Sequence, residues 1–194
     1  MTPPWPKPKR QTPAWPQADD ATRAAFEALP QRLAGTCAVI ETPLPADFDT
    51  SLRLQQVVQF SDIARNYGPI ADANPQRVTA KLKDIIAEGR SFSASDIAHA
   101  RAEAARLYGL MQTVVAGFDA VLTPAAPGIA LAGLGATGSP MFNALWTYLG
   151  MPCLSLPLLD VRGLPLGVQL CALRGEDGAL LRAGHALMAA LPKS

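Results

Sequence analysis

Two histidines, three cysteines and scattered serines are the side chains of this sequence that could bind a metal or attack an electrophile. His99 and His185 stand far apart, and neither sits in an HxxxH or HxxE pattern, so the converging donors a metal site needs are missing and no metal ligand is expected. A Ser–His–Asp arrangement is not excluded by counting, but no GxSxG elbow occurs. No GxGxxG or GxxxxGK(S/T) pattern occurs either, and Gly133-Leu134-Gly135 lacks the third glycine of a phosphate cradle. No cofactor is expected. Cys37, Cys153 and Cys171 are an odd count with wide spacing and no CxxC, which fits neither a disulfide framework nor a zinc site. They read as buried free thiols of a cytoplasmic protein. The carboxylate pairs Asp19/Asp20 and Glu176/Asp177 fall at predicted helix starts, where they offset the positive end of the dipole.

The elements that must position these groups follow from punctuation and periodicity. Residues 1–18 hold six prolines and two tryptophans. Proline fixes φ and lacks an N–H, so this stretch reads as an extended lead-in to a domain over 19–194. Asp19 or Asp20 caps a predicted helix to about Ala34, with Ala25, Phe26, Leu29 and Leu33 as its stripe and a kink or break at Pro30. Cys37–Glu41 reads as a short strand. A helix from Asp47 is expected to stop before Gly68-Pro69, and another runs from about Pro75 to Glu88 with Gly89 as its C′ residue. Ser93 and Asp96 form a capping-box pattern at the head of a third helix, whose stripe is Ile97, Ala104, Leu107, Met111, Val114 and Phe118. A short apolar strand ends at Thr123-Pro124. A loop over about 125–139 with four glycines follows, then a helix from Ser139-Pro140 to Gly150. Two alternating strands, Cys153–Leu156 and Leu166–Cys171, read as a hairpin with a loop of about six residues. Pro157 places the first near its end or at an edge. A last helix runs from about Asp177 to Leu191. The class is α/β, a mixed sheet with surrounding helices.

Composition bounds the rest. At 194 residues, 49% apolar and 17% charged, the chain suits one globular domain. A net charge of +1 gives no field that favours nucleic acid or an anionic membrane. Lys7, Lys9 and Arg10, beside the prolines, read as a solvated tail. No run of 18 apolar residues spans a bilayer. The first residues carry charges without a following apolar stretch, so no secretory signal is expected. Neither nucleic acid nor membrane is an expected partner.

Four ordered motifs resemble the carboxy-terminal part of amidase-signature hydrolases. Phe118-Asp119-Ala120-Val121-Leu122-Thr123-Pro124-Ala125-Ala126-Pro127 resembles their D-x-L-L-T-P-x-x-P strand and loop. Phe142 to Pro152 resembles the helix and turn that follow, and Gly163-Leu164-Pro165-Leu166-Gly167-Val168-Gln169-Leu170 resembles their G-L-P-x-G-x-Q hairpin. Glu176-Asp177 with Leu180-Leu181 resembles the closing helix. More loosely, Arg10 to Asp19 and the Leu44–Phe48 turn fall where the family places its own segments.

The resemblance implies an incomplete amidase-signature fold and hydrolysis of amide C–N bonds by a serine nucleophile, a second serine in a cis peptide and a lysine. This sequence has no Gly-Gly or Ser-Ser pair, and none of Lys7, Lys9, Lys81, Lys83 and Lys193 stands in a matching context. No catalytic role is transferred, and the segment with those groups is expected to lie outside this sequence. What the resemblance does transfer is a pocket wall for a small-molecule amide substrate: Phe142, Asn143 and Trp146, with Thr123 and Pro124 at its edge. Phe142 and Trp146, spaced i and i+4, also fit an ordinary packed helix face, and Asn143 also fits a bond to nearby backbone. Expected partners are an amino-terminal amidase segment or a second copy of the chain. A non-enzymatic binding module, using the face of Leu107, Met111 and Val114 or a bare sheet edge, is the alternative.

Overall fold

The structure, a computed structural model, describes residues 12–190. Lys7, Lys9, Arg10 and Leu191 lie outside them. At the described end of the proline-rich stretch, Trp15–Gln17 form a 3-10 turn, in which the fixed φ of Pro16 suits a first helical turn. Ala14 and Ala18 bury against Phe142, so this part is a docked turn where an extended segment was expected.

Helix α1 (Asp20–Glu27) begins at Asp19, whose carboxylate accepts the Thr22 N–H at 2.7 Å. The break expected at Pro30 is present: Ala28 separates α1 from α2 (Leu29–Leu33). Phe26, Leu29 and Leu33 are buried as the stripe required, each worth roughly 1.5–3 kcal/mol of transfer free energy. Residues 37–41 form no strand. Cys37 is exposed and Ile40 is 63% exposed; without a neighbouring strand, apolar alternation alone does not make a ladder.

Three longer helices then form a bundle over residues 51–114. A 3-10 turn over Ala46–Thr50 buries Phe48 completely and leads into α3 (Ser51–Ala73). That helix runs through Pro69, past the stop expected before Gly68. Proline removes one backbone donor, but the last turn is held by packing of Ala64 and Ala71 against Ile86. The Arg90 guanidinium, which grips both Asp72 oxygens at 3.2 and 2.6 Å, adds a link. The second helix is shorter than expected: Pro75–Arg77 is a separate 3-10 turn, and Thr79 caps α4 (Ala80–Ser91) through the Leu82 N–H. Gly89 lies inside α4, not beyond it. A Cβ there would stand 2.0 Å from the Phe60 carbonyl oxygen, so this glycine is a contact point between two helix backbones. The Ser93/Asp96 capping box opens α5 (Ala94–Val114) as its sequence required. Leu107 and Met111 are buried along it, whereas Phe118, past its end, is 41% exposed. Arg53–Glu88, Arg101–Asp62 and Arg106–Asp47 also link elements of this bundle. All are exposed pairs, which add little stability.

The second half holds an antiparallel sheet in the order β1–β3–β2, with β1 over Val121–Pro124, β2 over Cys153–Val161 and β3 over Leu164–Cys171. Between β1 and β2 the chain forms α6 (Met141–Leu149), which ends at left-handed Gly150. After β3 it forms α7 (Asp177–Ala190). The hairpin is tighter than a six-residue loop. Val161 pairs with Leu164, leaving Arg162 and Gly163 at φ 57° and 78°, while Asp160 accepts the Gly163 N–H. Two left-handed residues match the right-handed twist of the strands they join. The edge placement of β2 agrees with Pro157, but the strand does not stop there. A bulge between Leu156 and Leu159 absorbs the missing donor.

Strand alternation sorts the side chains between two cores. Leu166, Val168 and Leu170 face α1, α2 and α7. Cys171 belongs to the other core, with Trp146, Leu149, Leu107, Met111 and Phe48. The described residues therefore form an α/β assembly of helices around a small sheet.

Two glycine substitutions separate packing from propensity. Gly89→Ala is expected to lose ~1–3 kcal/mol by overpacking, because a backbone carbonyl cannot move aside. Gly109→Ala, with nothing within 4 Å of its added carbon, is expected to gain ~0.5–1 kcal/mol. Urea unfolding of both variants checks the pair, and equal signs would refute the contact.

Candidate functional site

The region singled out by sequence is assembled around one buried amide. Gln169 is 2% exposed at the middle of β3, and an amide there costs several kcal/mol unless its groups are satisfied. Its Nε2 donates to Thr123 Oγ1 at 3.2 Å and to the Phe142 carbonyl at 2.9 Å. One side chain thus ties β3 to the end of β1 and to the first turn of α6. The Thr123 hydroxyl in turn donates to the Pro124 carbonyl at 3.3 Å, which completes a short buried chain of hydrogen bonds.

The opposite end of α6 is fixed as firmly. The Leu149 carbonyl accepts from Arg174 Nε at 2.8 Å, and the Arg174 guanidinium lies 3.9 Å from the Tyr108 ring centre. A cation at a helix carboxy-terminus and over an aromatic face gains from both fields. Between the two ends, the Tyr148 hydroxyl donates to the Ala100 carbonyl of α5. Burial, and secondarily the charge of Glu103, pushes that phenol up to about 12, so it remains a donor throughout the physiological range.

The loop after Pro124 is drawn toward α1. Asp19 donates its N–H to the Pro127 carbonyl at 2.8 Å. Its carboxylate stands so near Gly128 that a Cβ on this glycine would lie 2.5 Å from Oδ2. Hydrogen bonds from Thr22, backbone first, hold the Asp19 carboxyl below its ordinary value of 3.8. Beyond Ala130 the loop is exposed, Leu134 fully so.

An open, mainly apolar groove of about 920 Å³ runs beside β1. Residues 36–44 form one wall, the 114–123 stretch another, and Ala183, Ala186 and Leu187 of α7 a third. Thr123 and Trp146 border it, although each side chain is almost wholly buried, at 3% and 1% exposure. Phe142, Asn143 and Pro124 do not line this groove. Phe142 packs on Ala14, Ala18 and Trp15, and Pro124 is buried at the end of β1. Asn143 is exposed and donates to the Ala125 carbonyl at 3.4 Å. The five residues therefore share one support but face two directions.

Sequence reasoning passed over Gln169 as a site residue. A single amide between Val168 and Leu170 looks like the solvent-facing member of an alternating strand, and only the covering helix α6 makes it interior. Of the lysines, Lys81 and Lys83 are described, both exposed on α4, a helix that packs chiefly on α3. Among the described residues, no group of His, Cys, Asp and Glu could hold a metal ion, and no helix is long and apolar enough to cross a membrane.

No family model matches the chain. By sequence it is similar to a glutamyl-tRNA(Gln) amidotransferase subunit of Cereibacter sphaeroides, with 38% identity over 86 residues, 39% of this chain and 17% of that protein. By fold it is similar to a crystal structure of an amidase, with a TM-score of 0.84 and 24% identity, covering 96% of this chain and 47% of that one. A bacterial aryl acylamidase of the amidase-signature enzymes superposes with a TM-score of 0.69 and 14% identity, over 91% of this chain and 41% of its own. The chain thus spans under half the length of these solved structures.

Gln169→Leu is expected to cost ~1–3 kcal/mol and to speed amide exchange over the first turn of α6, whereas Asn143→Ala stays within ~0.5 kcal/mol of wild type. Hydrogen exchange with mass detection reads both, and an unaltered α6 in Gln169→Leu would discount the cross-link. Asp19→Ala should cost up to ~1 kcal/mol at neutral pH, reduced by solvent screening. Because the folded carboxyl is depressed, its contribution is present above the unfolded value of 3.8 and lost as pH falls through the folded value. Thermal melts of the two proteins should converge in acid.

Proposed function

On the premise that this chain carries a carboxy-terminal portion of the amidase-signature fold, we propose that it serves an amide C–N hydrolase as scaffold and pocket wall. It does not turn over substrate by itself. The observation that carries this reading is the Gln169 cross-link, which fixes the Thr-Pro end of β1 and the head of α6 as one rigid surface. Thr123 and Trp146 present that surface to the groove. Pro124 and Phe142 back it, and Asn143 offers an exposed amide able to meet a polar group of a small-molecule amide substrate.

Among the described residues the outer edge of β1 pairs with no other strand, and this supports a partner. An unpaired strand edge beside an apolar groove is a template for another segment, and the occupant proposed is an amino-terminal amidase segment. That segment would supply the serine and lysine groups of the chemistry. Self-association through the same edge is the competing outcome.

Co-expression with an amino-terminal segment of an amidase-signature enzyme tests the reading through ammonia release from simple carboxamides. The chain alone is expected to be inactive and the pair active. In the active pair, Asn143→Ala should lower kcat/KM about tenfold, the equivalent of ~1.4 kcal/mol. Hydrolysis by the purified chain alone, abolished by changing one of its own serines, would overturn the proposal. A symmetric dimer that excludes the added segment would redirect it to self-association.

A further inference from the structure

Cys153 and Cys171 were expected to be separate buried thiols, yet the fold places them opposite each other on β2 and β3. The position is a non-hydrogen-bonded one, since the Ala172 N–H donates to the Pro152 carbonyl at 3.1 Å and so flanks the pair. At such positions Cα atoms lie about 4.5 Å apart and side chains approach most closely, inside the ~4.4–6.8 Å range that a disulfide spans. The two sulfurs are 3.4 Å apart. Their environments differ: Cys153 is exposed on the edge strand, and Cys171 is buried among Trp146, Leu149 and Met151.

We propose that Cys153 and Cys171 form a two-thiol redox site that reacts with hydroperoxides. The exposed Cys153 sulfur attacks the peroxide: an S–O bond forms, the O–O bond breaks, and the alcohol (water, from hydrogen peroxide) leaves with the thiol proton. The Cys171 sulfur then displaces hydroxyl from Cys153. An S–S bond forms, the S–O bond breaks, and water departs with the second proton. Two sulfurs are oxidised by two electrons in total, and one peroxide is reduced. Asymmetric burial suits this order. The hydrogen bond with Cys171 draws the Cys153 thiol down, while burial pushes Cys171 up, so the accessible sulfur is attacked first and the sheltered one resolves it. The product would staple the edge strand to the centre of the sheet just after the turn that leaves α6. A thiol reductant restores the starting state.

The test uses the purified chain with hydrogen peroxide, followed by alkylation under denaturing conditions and peptide mapping. Expected is the loss of two of the three thiols into a Cys153–Cys171 cross-linked peptide, with Cys37 still alkylated and full reversal by dithiothreitol. Cys153→Ser should leave Cys171 reduced, and Cys171→Ala should trap a dimedone-reactive sulfenic acid at Cys153. If Cys171→Ala fails to fold, the wild-type map decides. Full alkylation of all thiols after peroxide, sulfinic acid at Cys153 beside a free Cys171, or oxidation confined to Cys37 would each overturn the proposal.

Discussion

A buried amide must find partners for its donors, and in this chain that requirement fixes the layout of the whole second half. Gln169 has its Nε2 satisfied only when β1 lies on one side of β3 and the head of α6 closes over the top. Those three pieces come from sequence positions 123, 142 and 169, so one side chain sets the relative placement of segments that no local signal connects. Alternation does the remainder. With Gln169 turned toward α6, Val168 and Leu170 must face α1 and α7, and the strand has no freedom to slip by one residue without burying the wrong set.

The helical bundle contributes by holding α6 from behind. Phe48, Leu107 and Met111 share a core with Leu145, Trp146 and Leu149, and the Tyr148 hydroxyl reaches across to α5. Arg174, immediately downstream of the sheet, caps the far end. The helix that presents Phe142, Asn143 and Trp146 is therefore pinned at both ends and along its length, while the loop before it is tied near its start, where Ala125 bonds Gly167 and Asn143 and Pro127 bonds Asp19, and near its end, where Ser139 donates to Gln17. A surface built this way is rigid where it touches α6 and open where it meets residues 130–140.

Much of this was readable from the residues, and the pattern of success follows locality. The capping box of α5, the break at Pro30, the Gly150 stop and the two hairpin strands rest on signals within a few residues of one another. Features set by distant neighbours were not readable. Residues 37–41 have strand composition but no strand beside them. Pro69 reads as a stop, yet contacts with α4 carry α3 past it, and Gly89 reads as a terminus although its role is the approach of two backbones. At the candidate site, the motif order pointed to Thr123, Pro124 and the α6 residues, and these do gather around β1 and β3. The amide that gathers them looked like surface, and the facing of Cys153 and Cys171 depends on a register that spacing cannot supply.

The two halves also differ in their response to solvent conditions. The inter-element ion pairs of the bundle, Arg53–Glu88, Arg90–Asp72, Arg101–Asp62 and Arg106–Asp47, are all water-exposed, and added electrolyte screens such pairs over a Debye length of ~8 Å at physiological ionic strength. The sheet half is bound by apolar area and by a sheltered amide, neither of which electrolyte weakens. Raising ionic strength therefore removes only a small share of what holds α3, α4 and α5 together and leaves the Gln169 junction as it was, whereas cooling, which weakens apolar burial, reaches the apolar cores of both halves.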